Sequence, residues 1–520
     1  MTLHDPTPLT HPRGSTFCAA MRALELSTSS VVVAFAMILA AYAYQGMIPA
    51  FNADDVIQVQ GEAGAHVLSQ GRWGGYLVYY GLLDGNPAPF ISTVIGSGLM
   101  LASLLTIRKL LGITYAISTL VFVVTGAVSM HYCELFSYDG TRINTPIANL
   151  LALYGLKLIS ENRKFLGVFL VALSPAFYPA AILLAVTAVA AMAIHELTSL
   201  ACLRVLMRCV LRVSCIAVGV AIYKVFTAYV YWMSHTELGS RTDLDWRAAM
   251  DNGEAIAMYL AMHAVPFLTG RFSYYTSNAM VVSSGVIVVG FWLVSVAGHV
   301  ARGERAKVML WIVLNLALMC APIGAAFVVG ASDTLGSRSL YGYALVHGFC
   351  AATVLDKGLL SGAGSGPGMG RLAPAMLVAC GTLYLAHAIN IGRKSYDDYL
   401  ATQSDLLATN RIIYRIESVL ATADASRTVP PLAIPLAVIY ERPLGHDPRG
   451  FVAGPRGDVG AARQADWSRE WIFRLIDPKF RPIDRARRPA FLELARSHGE
   501  WPAADSVFIE RGVVVVVISK

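Results

Sequence analysis

The sequence predicts an all-α, polytopic membrane bundle of about eleven helices, followed by a small C-terminal α/β domain. Hydrophobic residues make up 56% of the chain and charged residues only 14%, with a mean hydropathy of +0.55. Soluble proteins carry roughly 25% charged residues. Apolar stretches of about 20 residues, the length that spans a bilayer, recur along the chain. Basic residues form short clusters between these stretches, which is the pattern of topogenic charge.

Several function classes are excluded at this stage. The net charge of +7 does not predict nucleic-acid binding, because the basic residues are not gathered into one patch. The eight cysteines include no C-x-x-C pair, which argues against a disulfide framework or a zinc site. Walker A, GxGxxG, GxSxG and HExxH motifs are absent too. The chemistry that those motifs mark is therefore not expected here.

The predicted membrane domain occupies residues 30–390, after a cytoplasmic segment at 1–29 that lacks the features of a cleavable signal. Two long outside loops, 50–88 and 232–278, interrupt it and are expected to lie on the membrane surface as amphipathic helices. The predicted spans are 31–49, 89–107, 113–130, 143–160, 165–178, 180–197, 211–231, 279–300, 308–330, 340–355 and 372–390.

The pair 165–178 and 180–197 leaves an alternative open. The two spans share one apolar run that is broken by Ser174-Pro175 and Pro179. Proline interrupts a helix, which favours a tight hairpin, but a single kinked span is the alternative. Charge favours the hairpin: only with it do the short loops predicted inside hold more Lys and Arg than those outside. The N-terminus is then cytoplasmic and the C-terminal domain extracytoplasmic.

The C-terminal domain is predicted to occupy residues 391–520. Leu400, Leu407 and Ile416 lie at near-helical spacing, which predicts an amphipathic helix over 396–421. Asp397-Asp398 is interpreted as charge at the N-terminus of this helix. A strand is expected at 432–440, helix around 484–497, and a final hairpin of 507–509 and 513–518 joined at Arg511-Gly512.

Asp54-Asp55, which follows the first span almost at once, is the leading candidate for catalysis. One carboxylate can accept a proton from an attacking hydroxyl, and the other can orient it. The same pair can hold a divalent cation, Mg²⁺ or Mn²⁺, beside a phosphate. The competing interpretation is structural, because Asp is common at loop starts and helix N-caps.

Further candidates for substrate binding lie at the same predicted membrane face. Arg72 suits a phosphate or a pair of sugar hydroxyls, and Trp73 can stack on a sugar or sit in the interfacial belt. Glu134 and Asp139, in the second predicted outside loop (131–142), can complete the site or pair with Arg142. The remaining two candidates are Tyr178, at the tip of the predicted hairpin, and Arg338, a costly charge near a span that a lipid phosphate can neutralise.

In this order, the segments resemble the phage-type, serotype-converting O-antigen glucosyltransferase family, membrane enzymes with a GT-C-like fold. The resemblance rests on Asp54-Asp55, on Gly71-Arg72, on Glu134-Leu-Phe-Ser-Tyr-Asp139 and on Leu173-Ser-Pro-Ala-Phe-Tyr178. It continues at Arg338, in the tail helix around 399–416 and in the ending from Trp501-Pro502 to Ser519, and so covers most of the chain.

The resemblance implies inverting transfer of a hexose, glucose by analogy, from a polyprenyl phosphate to a lipid-linked or surface polysaccharide on the periplasmic face of a bacterial inner membrane. Asp54 or Asp55 is expected to act as the base, with Arg72 and Arg338 on the phosphate. The partners are then the lipid-borne donor, a glycan or glycolipid acceptor and membrane lipids. Three alternatives stay open: a transporter or flippase of a lipid-linked sugar, a glycan ligase or polymerase, and a non-catalytic scaffold. Carboxylates at span ends and the lack of an internal repeat favour an enzyme over a transporter.

Overall fold

The computed structural model describes residues 28–48, 50, 64–86, 88–235, 277–327, 340–360, 369–422, 433–440 and 469–519. Asp54, Asp55 and Arg338 lie outside the described residues, as does most of the predicted loop 232–278.

Helices dominate the described part of the chain, and one lies at each of the eleven predicted apolar segments. They are α1 Thr28–Met47, α2 Gly64–Ser69, α3 Trp73–Tyr76, α4 Pro89–Ile107, α5 Ala116–Ala127, α6 Met130–Phe136, α7 Asp139–Ser160, α8 Lys164–Phe177, α9 Ala181–Glu196, α10 Cys202–Ser234, α11 Asn278–Ala301, α12 Arg305–Cys320, α13 Gly342–Leu360 and α14 Met369–Thr422. A single apolar core draws on α1 and on every helix from α4 to α14.

Among the described residues, six helices are long and apolar enough to cross a membrane: α1, α4, α10, α11, α12 with the turn after it, and α14. α5 and α6 pass the same test together although they are bent by 55°, which brings the number to seven. α8 and α9 are apolar but shorter. The chain is therefore mostly helical with several helices of membrane length, and the count of eleven spans stays a prediction.

Residues 164–196 form two separate helices, α8 and α9, as the predicted hairpin requires, and not the single kinked span that was the alternative. Tyr178 is extended after α8, with φ −153° and ψ 111°, and Pro179 has no N–H with which to continue the helix. Phe177, at the end of α8, packs against Gly74. His195, at the end of α9, packs against Gly112 in the turn after α4, and Glu196 binds Arg212 beside Ser160. The two helices therefore run in opposite directions, as the charge pattern predicts.

The last helix, α14, is continuous over 54 residues, from Met369 to Thr422. The prediction of two separate helices, a span at 372–390 and a tail helix at 396–421, is wrong, because both are parts of this one helix; the domain boundary at 390 stays a prediction. Proline occurs in α14 only at Pro374, near its start, so nothing breaks the hydrogen-bond ladder before 422. Asp397 and Asp398 consequently lie in the middle of a helix rather than at an N-terminus.

The C-terminal module contains a four-stranded sheet in the order β2-β1-β4-β3. Its elements are β1 Ile434–Tyr440, α15 Arg469–Ile476, β2 Phe480–Pro482, α16 Arg488–Ala495, β3 Val507–Glu510 and β4 Val513–Ser519. β1 is parallel to β2 and β4, and β3 and β4 form the predicted hairpin. Arg511 and Gly512 both have positive φ, as a two-residue hairpin turn requires. The predicted strand and hairpin are confirmed.

Alternate side chains of the central strands face two different layers. Leu436, Val438 and Val516 pack against Ile416 of α14 and Phe473 of α15. The intervening residues of the strands pack against α16 on the other face. Lys479 connects the module to α14 through a contact with Glu417 at 3.0 Å. Lys479 also contacts Asp477, within the module, at 2.7 Å. Burial lowers the pKa of the Lys479 ammonium group, but the two carboxylates raise this pKa by more. The pKa of Lys479 therefore lies above its usual value.

Glu470 and Arg488 form a buried ion pair in this module, with 2.6 Å between Oε1 and Nη2. Glu470 also accepts a hydrogen bond from the Val438 N–H of β1. Removal of one partner from a buried pair leaves an uncompensated charge, so Glu470→Ala is expected to destabilise the module by about 3 kcal/mol. The exposed pair Glu493–Arg496 provides the control, and Glu493→Ala should change stability by less than about 0.5 kcal/mol. Limited proteolysis after graded heating measures both, and equal effects would contradict the assignment.

Candidate functional site

The predicted site residues that the structure describes lie at one end of the bundle, which we call the site end. α1, α6 and α8 end there, and α4, α7 and α9 begin there. The contacts of Gly74 with Phe177 and of Gly96 with Arg142 connect these helix ends. The opposite end collects basic residues, among them Arg212, whose guanidinium binds Glu196 through two nitrogens.

The segment 131–142, predicted to be an outside loop, is instead mostly helical and buried. Ser129 caps α6 by accepting a hydrogen bond from the Tyr132 N–H, and α7 begins at Asp139 after a turn of two residues. Cys133, expected in a loop, is fully buried. The segment is buried because its apolar residues, among them Leu135 and Phe136, pack into the bundle core.

A pocket opens at the site end between α1, the α6–α7 turn and α14. It is lined by Gln45, Ile48, Ala50, Ser137, Arg142, Ser395 and Asp398. Most of these side chains are polar, although the pocket adjoins the apolar core of the bundle. Ala50 is the last described residue before the segment that carries Asp54 and Asp55.

A chain of hydrogen bonds supports the pocket wall. Gln45 Nε2 donates to the Cys133 carbonyl at 2.9 Å and to Ser137 Oγ at 2.8 Å. Lys394 Nζ donates to Ser137 Oγ at 3.2 Å and to Asp398 Oδ2 at 2.6 Å. Lys394 and Asp398 are 14% and 22% exposed in their side chains. Three helices that are distant in sequence thus present one connected polar surface.

Glu134 and Arg142 are the other charged residues of the 131–142 segment that have contacts near this network. Glu134 is half-buried and interacts electrostatically with Lys394. Arg142 is 3% exposed, and its Nε donates to the Phe136 carbonyl while the side chain lines the pocket. Asp139 is the first residue of α7. The structure therefore brings Glu134 close enough to Lys394 for their charges to interact, although Glu134 does not line the pocket.

Arg72 and Tyr178 are brought together as a second polar feature of the site end. The guanidinium carbon of Arg72 lies 5.1 Å from the centre of the Tyr178 ring, a cation–π contact. Tyr178 in turn lies against Tyr341, with ring centres 6.3 Å apart. The Tyr341 hydroxyl donates to Asn149 Oδ1 at 2.9 Å, and Asn149 Nδ2 donates to the Tyr132 hydroxyl at 3.1 Å. This series of contacts leads from Arg72 into the bundle.

The backbone around Arg72 is held by helix α10 and by small residues. Tyr223 donates to the Gly71 carbonyl at 3.0 Å, and Tyr231 donates to the Ser69 carbonyl at 2.9 Å. Gly71 has φ +74°, a conformation that side chains disfavour. Trp73 begins α3 directly afterwards, and its indole Nε1 is buried without a partner among the described residues. Arg72 and Trp73 are thus positioned by tertiary contacts rather than free in a loop.

The site predictions divide into those that the structure describes and those outside it. Arg72, Trp73, Glu134 and Tyr178 all lie at the site end. Asp54, Asp55 and Arg338 lie outside the described residues, although Arg338 precedes the buried Tyr341 by only three positions. Their roles therefore stay predictions.

The described residues contain no cluster of metal-binding side chains that could add to Asp54 and Asp55. Within the described ranges, no three His, Cys, Asp or Glu side chains lie close enough together to hold a metal ion. Cation binding by Asp54 and Asp55 stays a prediction.

Sequence reasoning missed Gln45, Ser137 and Lys394 and interpreted Asp398 as helix charge. A sequence signal existed for Lys394 and Asp398, because an i,i+4 pair of opposite charge lies just beyond a predicted span. No local signal marked Gln45, which reads as part of an apolar helix.

Comparison with known protein families gives a match over much of the chain. Residues 43–349, more than half of the chain, match a family described as Glucosyl transferase GtrII. The match includes the pocket residues from α1, α6 and α7, and also Arg72 and Tyr178. It ends before α14. No curated protein and no solved structure matches the chain.

Proposed function

Since the chain belongs to the Glucosyl transferase GtrII family and is therefore a glucosyltransferase, we propose that it takes glucose from a polyprenyl phosphate and transfers it to a lipid-linked or surface polysaccharide. The observation that carries this proposal is the polar pocket at the site end. It lies at the ends of apolar helices, where a lipid-borne donor can reach it, and Ala50 in its lining precedes Asp54 by four positions in the sequence.

The reaction we propose is a single displacement with inversion. The acceptor hydroxyl oxygen attacks the anomeric carbon, and the new C–O bond forms as the bond to the phosphate oxygen breaks. The hydroxyl proton passes to Asp54 or Asp55, and the electron pair leaves with the polyprenyl phosphate. The leaving phosphate gains negative charge, which Arg72 and Arg338 stabilise. Glu134 and Asp139 help to position the acceptor.

A divalent cation is a separate part of the proposal. Asp54 and Asp55 would hold Mg²⁺ or Mn²⁺, which would neutralise phosphate charge when bound. The arginines can supply the same neutralisation unaided. Activity after dialysis against a chelator, with and without added Mg²⁺, distinguishes these cases.

We further propose that the site end faces the periplasm. Basic residues collect at the opposite end of the bundle, where Arg108, Arg212 and Arg302 lie, and short basic loops stay in the cytoplasm. α14 passes the site end and continues to the C-terminal module, which supports a periplasmic location of that module as well. If a reporter is fused after Lys520, we expect its activity to show that the C-terminus lies in the periplasm. Cytoplasmic activity of that fusion would refute this orientation.

The cation–π contact of Arg72 gives a graded prediction. Tyr178→Leu removes the ring that holds the guanidinium, so kcat/KM for transfer should fall by about 2- to 30-fold. Tyr178→Phe keeps the ring and should stay within about twofold of the wild type. Initial rates of both variants, normalised to folded protein, provide the measurement. Equal losses in the two would show that the ring does not position Arg72.

The proposal is tested with purified protein in vesicles that contain a polyprenyl-phosphate glucose labelled in the sugar. Label should move to an added lipopolysaccharide or polysaccharide acceptor only in the presence of the chain. Movement of labelled lipid across the bilayer without transfer would instead support a flippase. Joining of whole glycan chains would support a ligase or polymerase.

A further inference from the structure

Helix α10 buries one narrow face, and the part of that face near the site end carries hydroxyl groups. Ile216 and Gly219 are followed along this face by Tyr223, Thr227 and Tyr231, which lie at i, i+4 and i+8. Aliphatic side chains would fill the same space without a polar group that needs a partner when buried. The hydroxyl groups therefore indicate a polar task at this position of the helix.

Two of these hydroxyls hold the turn between α2 and α3, residues 69–72. Tyr231 donates to the Ser69 carbonyl at 2.9 Å, and Tyr223 donates to the Gly71 carbonyl at 3.0 Å. The two tyrosines are 6% and 7% exposed. A carbonyl that loses its donor at a buried site stays unsatisfied, so each hydroxyl constrains the position of the turn.

Gly71 permits this close contact between the turn and α10. Its φ of +74° suits glycine, and a Cβ at this position would collide with the Tyr223 hydroxyl. The same Cβ would lie 3.5 Å from Thr227 Cγ2. The turn and the hydroxyl-bearing face of α10 therefore fit each other closely.

Arg72, the next residue, is held by two helices at once. Its guanidinium carbon lies 5.1 Å from the centre of the Tyr178 ring of the α8–α9 turn. On the other side, the guanidinium interacts electrostatically with the Tyr223 hydroxyl. Tyr223 therefore acts on both the backbone that precedes Arg72 and the charged group itself, and a shift of the Gly71 carbonyl would move Arg72 directly.

We propose that Tyr223 is a positioning residue for Arg72, and that Tyr231 is a second anchor of the same turn. This inference rests on the proposed function, in which Arg72 stabilises charge on the leaving phosphate. That stabilisation acts in the transition state and requires a donor group held in a defined place. Loss of the Tyr223 hydroxyl should therefore lower kcat more than it changes KM for the lipid donor.

The first test removes single hydroxyls in the vesicle assay. Tyr223→Phe should lower kcat on the order of tenfold with a smaller change in donor KM. Tyr231→Phe should cause a smaller fall, because Ser69 is three positions from Arg72. Tyr229→Phe is the matched control: it is the same substitution in the same helix, at a side chain that is 56% exposed, and it should leave kcat unchanged.

A double-mutant cycle distinguishes positioning of Arg72 from a general effect on the fold. Arg72→Met removes the group through which Tyr223 is proposed to act. Tyr223→Phe should then cause no further loss of kcat in the Arg72→Met protein. Multiplication of the two losses would place the effect of Tyr223 elsewhere.

Hydrogen–deuterium exchange provides a readout that does not depend on activity. Amide exchange of the peptide that contains residues 67–76 should be faster in Tyr223→Phe than in the wild type, and unchanged in Tyr229→Phe. Folding of each variant is checked by monodisperse gel filtration in detergent.

The outcomes separate the two proposals. A wild-type protein without transfer activity overturns the proposed function, and the positioning role with it. With an active wild type, the inference alone is overturned if Tyr223→Phe keeps its kcat or its exchange rates. Wild-type activity of Arg72→Met, or losses that multiply in the double variant, would overturn it as well.

Discussion

Replacement of Asp55 or Asp54 by Asn should produce the largest functional loss in this protein. Asparagine keeps the size of the side chain but cannot accept the acceptor proton, and general-base catalysis contributes about 10²- to 10⁴-fold to a rate. The variant that lacks the base should therefore lose transfer by that factor in kcat. The variant that lacks the orienting carboxylate should lose less. Comparison of the two single variants in the vesicle assay assigns the roles.

Asp84→Asn provides the matched control for this experiment. Asp84 lies in the same predicted loop, is exposed, and has φ +51°, a conformation that asparagine tolerates well. Its replacement should leave transfer unchanged. Full activity of both Asp54→Asn and Asp55→Asn would remove this pair from the mechanism and would direct attention to Asp398, which lines the pocket, and to Glu134, which interacts with Lys394.

The largest structural loss is expected from Gly155→Leu. Gly155 in α7 and Gly167 in α8 face each other so closely that a Cβ at position 155 would lie 2.7 Å from the Gly167 carbonyl oxygen and 2.9 Å from Val171 Cγ2. Small residues are what permit such an approach between membrane helices. A leucine must separate the two helices, which should cost about 3 kcal/mol or more. Activity should fall too, because α8 carries Phe177 and Tyr178 to the site end.

Gly381→Leu is the control, since a Cβ on Gly381 of α14 meets no atom within 4 Å. Thermal stability in detergent, followed by loss of the monodisperse gel-filtration peak, should fall clearly for Gly155→Leu and little for Gly381→Leu. Similar curves for the two variants would mean that the α7–α8 contact does not limit stability.

Local features of the chain were predicted well where a residue type dictates backbone geometry. Pro175 and Pro179 marked the division between α8 and α9, because proline cannot continue the hydrogen-bond ladder. Arg511-Gly512 marked the hairpin between β3 and β4. The one long helix at the C-terminal side was misjudged, since a change from apolar to polar composition after 390 does not by itself end a helix.

The sequence by itself determined the mostly helical architecture with apolar helices of membrane length and the glucosyltransferase family, because apolar length and motif order can be read along one dimension. Only the tertiary structure decided the composition of the pocket. Gln45 meets Cys133 across 88 positions, and Lys394 meets Ser137 across 257. Contacts between residues so far apart in the sequence depend on how the helices pack, so no local sequence pattern predicts them. The same packing places Asp398, which the sequence alone suggested to be a charge at a helix N-terminus, in the lining of the pocket.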